Sequence, residues 1–299
     1  MKPQHILILV LVAALWGFNF VVIRLGLQNF PPLLFSALRF LLAALPLAFF
    51  IRKPQVPWSL IIGIGLVLGV IKFSLLFIGM DIGLPPGLAS LVLQSQAFFT
   101  VILAMTFYGE RPRPLQLAGM LVAFSGIALI ASSVGGSFTA TGLALAIAAA
   151  IAWAFSNMLM KKAGKVEMLS LMVWVSLVPP IPLLIISLIF EGIDRDLAAL
   201  ANLNLSGIGA VLFVAYVATV FGFGVWGAMI SRYGVATVAP FSLLVPVFGM
   251  SSAALLLGEE FGPTRIVAAL LIITGLLMNV FNPRWLQQKA SVDTKARRA

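Results

Sequence analysis

Ten apolar stretches, at residues 6–27, 33–51, 58–81, 85–107, 114–132, 142–163, 168–190, 206–231, 235–257 and 264–282, follow one another with only short breaks between them. A helix needs ~20 apolar residues to cross the hydrocarbon core of a bilayer. These lengths predict an all-α membrane protein with ten transmembrane helices. Charge content points the same way: 9% of the residues are charged and 62% are hydrophobic, whereas a soluble domain carries about 25% charged residues. Proline and glycine punctuate the breaks, at Pro31-Pro32, Pro54, Pro57, Pro85-Pro86-Gly87, Pro112, Pro114, Gly135-Gly136, Pro263 and Pro283. Such residues start or stop helices. The first stretch runs past Ala13-Ala14 through Trp16 and Phe20, so it reads as a retained span and not as a cleaved signal.

Basic residues set the orientation. With the N-terminus inside, fourteen of the nineteen Lys and Arg residues fall on the inner side, among them Arg52, Lys53, Arg111, Lys161, Lys162 and Arg232. Only Arg24, Arg195 and Arg265 fall outside, and Arg39 and Lys72 fall within spans. Lys and Arg are enriched in cytoplasmic loops, which predicts both termini in the cytoplasm. Residues 283–299 then form a basic cytoplasmic tail drawn to anionic lipid. The net charge of +10 does not suggest a nucleic-acid partner, because the basic residues sit in short connections and not on one folded face.

No cysteine is present, so disulfides and thiolate metal sites are excluded, and His5 is the one histidine. Without a metal-ligand cluster, a Ser-His pair within a span or a phosphate loop, the chain is not expected to be an enzyme or to hold a cofactor or metal. A channel would need a polar stripe along several helices, and the polar residues here are scattered.

The two halves resemble each other. Gly109-Glu110-Arg111-Pro112-Arg113-Pro114, followed by Gly126, matches Gly258-Glu259-Glu260-Phe261-Gly262-Pro263, followed by Gly275, at a constant offset of 149 residues. Trp153 and Asn157 match Trp16 and Asn19 with a one-residue difference in spacing. Residues 1–133 and 142–282 would then be two five-helix repeats. An odd number of spans per repeat makes the second copy enter the membrane from the opposite side. Inverted repeats of this kind bind substrate near the midplane in many secondary transporters.

Trp16-Gly-Phe-Asn19-Phe, Pro32 and Arg39, the run from Gly87 to Gln96, Gly109-Glu110-Arg111, and Ala239-Pro-Phe-Ser-Leu-Leu-Val-Pro246 stand in this order along the chain. In these motifs the sequence resembles the EamA branch of the drug/metabolite transporter superfamily over residues 6–282. The resemblance implies alternating access and export of amino acids or related metabolites, such as O-acetylserine or cysteine, across the bacterial inner membrane. A permease of the same fold for aromatic amino acids, purines or hydrophobic drugs is the alternative reading.

Arg39, about two turns into the second span, and Lys72, near the middle of the third, are ionisable groups at membrane depth; such groups face a cavity or a partner. The alternatives are that Arg39 snorkels to the outer headgroups and that Lys72 is held neutral by burial or capped by helix carbonyls. No Asp or Glu lies deep in a span to neutralise them, so a carboxylate-bearing small molecule is the expected partner, with the lipid bilayer as solvent. Lys72 is also the only obvious mid-membrane proton carrier. Tyr216, Thr219, Phe223 and Trp226 fall on one helical face by their spacing, as do Trp16 with Asn19 and Trp153 with Asn157. Gln94 and Gln96 complete the polar residues expected in substrate binding, although they point about 200° apart on an ideal helix.

Overall fold

The computed structural model describes residues 1–132 and 138–280. The glycine pair 135–136 and the expected basic tail, 283–299, lie outside the described residues. Ten helical spans are long and apolar enough to cross a membrane: α1 (Pro3–Leu27), α2 (Pro32–Phe49), α3 (Trp58–Asp81), α4 (Pro86–Tyr108), α5 (Pro114–Ala131), α6 (Ala140–Ala163), α7 (Met168–Ala201), α8 (Leu205–Tyr233), α9 (Ala239–Leu257) and α10 (Pro263–Val280). No strand occurs among the described residues, as expected where backbone polar groups cannot turn to water. The chain is a multi-pass membrane protein.

Two spans differ from their expected bounds. The seventh, expected to end at residue 190, is followed to Ala201 by a further helical segment, but Gly192, with φ of 90° and ψ of 141°, breaks the helix between the two. Its last segment, Ile193–Ala201, carries Asp194, Arg195 and Asp196 and is much less apolar than the rest. The ninth span, expected from residue 235, begins with a separate turn, Val235–Val238, before Ala239. Three spans widen into π-helix, at Gly65–Lys72, Leu188–Gly192 and Phe213–Phe221.

Side-chain contacts between the connections sort them onto two faces. On the N-terminal face, His5 meets Tyr233 at 2.5 Å, Ser170 donates to the Arg52 carbonyl at 2.7 Å, and Lys161 pairs with Glu110. On the distal face, Arg24 donates to the Met80 carbonyl at 3.3 Å, Thr139 to the Ile82 carbonyl at 3.1 Å, and Asn204 to Asn29.

Small residues set the tightest helix contacts, as in many membrane bundles. A Cβ on Gly119 would lie 2.6 Å from the Gly275 carbonyl oxygen, and one on Gly126 would lie 2.9 Å from that of Ala268. Gly119 and Ala268 are 149 residues apart, as are Gly126 and Gly275. Gly65 and Gly69 of α3 let Val178 and Pro179 of α7 approach in the same way. Gly109 and Gly258, with φ of 62° and 64°, end α4 and α9 in the left-handed region that only glycine adopts at little cost.

Candidate functional site

Arg39 and Lys72 are 3% and 4% exposed, so neither side chain reaches out to headgroups. Both are held against one ring. The Arg39 Cζ stands 4.0 Å from the Phe73 centroid and 4.7 Å from that of Phe40, and the Lys72 Nζ stands 3.3 Å from Phe73 and 4.6 Å from Trp153. A desolvated cation over an aromatic face gains about 2 kcal/mol, less than the several kcal/mol that burying each ion costs. Arg39 Nη2 donates to Thr219 Oγ1 at 2.7 Å, while its Nε and Nη1 are buried without a hydrogen-bond partner among the described residues. A guanidinium carries five donors in a planar fork suited to a carboxylate. Among the described residues, no acidic side chain forms an ion pair with either cation.

The π-helical segments help to build this centre. Lys72 closes one such segment of α3, and the segment of α8 contains both Ala218 and Thr219. Thr219 donates to the Val214 carbonyl, five residues back, at 2.8 Å and accepts from Arg39. The neighbouring Ala218 carbonyl accepts from Trp16 Nε1 at 2.8 Å. π-bulges are frequent at functional sites.

The other nominated residues fall into separate groups. Trp16 packs on Phe223 and Trp226, with centroids 5.3 and 5.0 Å away. Tyr216 turns instead to α2, where its hydroxyl donates to the Leu45 carbonyl at 3.2 Å. The single face expected for Tyr216, Thr219, Phe223 and Trp226 therefore divides, because the wider turn changes the angle per residue. Asn157 Nδ2 donates to Gln96 Oε1 at 2.7 Å and to Thr100 Oγ1 at 3.1 Å, joining α6 to α4. Gln94 faces elsewhere and donates to the Ser242 carbonyl of α9 at 2.9 Å. The Asn19 Oδ1 is buried without a partner among the described residues. The sequence reading missed the aromatic walls, Phe40 and Phe73; neither departs from the apolar pattern of its span.

The helix caps were also missed. Both α2 and α4 begin after a Pro-Pro pair, and their N-cap prolines offer no side-chain acceptor. Each borrows a carboxylate from a distant part of the chain, α2 from Glu191 of α7 and α4 from Glu259 in the connection between α9 and α10. Leu33 and Leu34 amides donate to Glu191 at 2.8 and 3.1 Å, and the Gly87 amide donates to Glu259 Oε2 at 3.0 Å. A Cβ on Gly87 would meet Phe261 at 2.5 Å and the Glu259 oxygens at 3.1 Å. Burial pushes the Glu259 carboxyl above the usual carboxylate range, against the opposing pull of the Gly87 amide, the nearby Arg265 and the Leu88 amide. A Pro-Pro helix start without its own cap is the sequence signal for such a partner.

A cavity of about 840 Å³ opens on the distal face among Arg24, Gln28, Pro85, Glu259 and Arg265. A second, of about 670 Å³, lies between α3, α4 and α6 beside Phe107 and Phe155. Neither is lined by Arg39 or Lys72, so neither opening reaches the buried cations.

The EamA-like transporter family model matches residues 4–132 and 140–281. The chain belongs to the EamA-like transporter family. A relative named "Probable amino-acid metabolite efflux pump" from Escherichia coli (strain K12) is 44% identical over 281 residues, covering 92% of this chain and 94% of the relative. A relative of the same name from Salmonella typhimurium is 45% identical over 280 residues, with the same coverage. A solved structure described as "Crystal structure of protein" is 20% identical, with a TM-score of 0.61 over 91% of this chain and 94% of that one. That likeness concerns the fold alone.

Proposed function

We propose that this transporter exports small amino-acid-like metabolites, such as O-acetylserine or cysteine, across the bacterial inner membrane. Arg39 and Lys72 receive the substrate carboxylate between the two halves of the bundle. The observation that carries this reading is the orphaned pair of bases: two buried basic side chains share one aromatic ring, and two nitrogens of Arg39 lack a hydrogen-bond partner among the described residues. A bound carboxylate supplies the missing acceptor and removes most of the penalty of burying like charges together. The names of the two close relatives support amino-acid metabolites as cargo.

The halves work as inverted five-span repeats, residues 1–133 and 142–282. Support comes from the reciprocal contacts of Gly119 with Gly275 and Gly126 with Ala268. The partners exchange roles under the 149-residue offset, as a twofold axis requires. One contact advances along α5 as the other retreats along α10, which supports an axis in the membrane plane. The bias of Lys and Arg toward the N-terminal face supports a cytoplasmic assignment of that face and both termini.

The test is an efflux assay in cells expressing the parent protein, R39Q or K72Q. Extracellular O-acetylserine, cysteine and other amino acids should rise with the parent and fall at least tenfold with either variant present at equal membrane level. Undiminished export by R39Q would favour a neutral or hydrophobic cargo on the same fold.

A further inference from the structure

The two Gly-Glu motifs end α4 and α9 in the same way, yet their carboxylates do different things. Glu259, on the distal face, is half-buried, and the Gly87 amide at the first turn of α4 donates to it. Its offset mate Glu110, on the N-terminal face, is exposed and paired with Lys161 at the end of α6. Lys161 stands eight residues after Trp153, as Arg24 stands eight residues after Trp16. Allowing for the one-residue slip between the Trp and Asn positions, Arg24 is the basic residue nearest to the distal counterpart of Lys161. It lines the same cavity as Glu259 but donates to the Met80 carbonyl instead. The counterparts of Gly87 and Leu88 at the 149-residue offset are residues 236 and 237, in the turn Val235–Val238 that leads into α9. One motif therefore holds the start of the opposite repeat's fourth span, and the other holds a base at the end of a first span.

Two related half-structures, caught in different arrangements, are what a transporter with exchangeable repeats requires. We propose that Glu259 and Glu110 are reciprocal latches, each capping the start of the other repeat's fourth span when its own face is closed, and pairing with Arg24 or Lys161 when that face is open. This rests on the inverted-repeat, alternating-access reading given above. In the arrangement described here the distal latch is engaged and the cytoplasmic latch is released onto Lys161. During turnover Glu110 leaves Lys161 for residues 236 and 237 as Glu259 leaves Gly87 for Arg24. The two carboxylates act as positioning residues: they set the balance between the two openings and touch no substrate.

The chain has no cysteine, so single reporters can be placed without a background change. L88C reports the distal face in spheroplasts, and T237C reports the cytoplasmic face in inside-out vesicles, both by labelling with a membrane-impermeant maleimide. Removing a charge-assisted cap shifts a two-state balance about tenfold. With E259Q, L88C should label about tenfold faster and T237C correspondingly slower. E110Q should produce the opposite changes, and the pair E110Q/E259Q should return both rates toward the parent. K161Q, which frees Glu110, should protect T237C. Faster labelling of both reporters in E259Q would show loosened packing and overturn the proposal, as would parent rates in E110Q. Opposite shifts without export of any carboxylate compound would leave the latches standing and remove the cargo reading. Carboxylate export without opposite shifts would do the reverse.

Discussion

At the scale of single residues, the account turns on charges that lack a partner. Replacing buried ion pairs by apolar side chains of similar volume is often neutral or stabilising by about 1–4 kcal/mol, because the desolvation cost disappears, and the same logic applies to a lone buried ion that leaves no fixed partner behind. Arg39 meets that condition, since its one side-chain acceptor is the neutral Thr219 hydroxyl. R39M is therefore expected to keep or raise the unfolding temperature in detergent while export falls at least tenfold. A structural role for Arg39 would instead lower both together. Lys72 shares the Phe73 ring with Arg39, so the two substitutions should not add. R39Q/K72Q should export little less than either single variant, as found for residues that serve one group.

At the scale of helices, packing and caps give two further expectations. A Cβ on Gly275 would stand 2.4 Å from the Gly119 carbonyl oxygen, a contact that only backbone movement relieves. G275V should thus force α5 and α10 apart and cost roughly 1–3 kcal/mol, read as a lower unfolding temperature, whereas unchanged stability would mean that the two helices do not pack as described. E191Q should weaken the start of α2, where two amides share that carboxylate; loss of a cap costs about 1 kcal/mol. Hydrogen exchange at Leu33 and Leu34 should rise while that at α5 stays unchanged.

The same scale shows what the sequence carried. The number and approximate bounds of the spans were legible, because a bilayer demands long apolar runs and Pro or Gly interrupts most of them. Burial of Arg39 and Lys72 was legible from their positions inside such runs. Side-chain direction past a π-helical turn was not, because spacing arguments assume a constant angle per residue. Phe213–Phe221 breaks that assumption and sends Tyr216 toward α2 while Phe223 and Trp226 face Trp16. The short helix after Gly192 was hidden for a different reason: Ile193–Ala201 is an amphipathic segment whose three charges resemble a loop. The Glu191 and Glu259 caps join residues more than 150 positions apart, at distances no local pattern encodes.

For the whole molecule, Arg39 and Lys72 are buried, and neither of the two cavities is lined by them. On the proposed function, cargo reaches these side chains when the halves move, and its carboxylate is the feature that would make entry favourable. Binding, separated from transport, addresses this most directly. Titrate the purified protein with O-acetylserine and with its methyl ester, which keeps the size and the amine but removes the negative charge, and follow tryptophan fluorescence, which Trp153 beside Lys72 equips the site to report. The acid should bind the parent protein at least tenfold more tightly than the ester, and R39Q should erase the difference. Equal affinity for acid and ester, unchanged in R39Q, would contradict the claim that buried cations recognise the cargo.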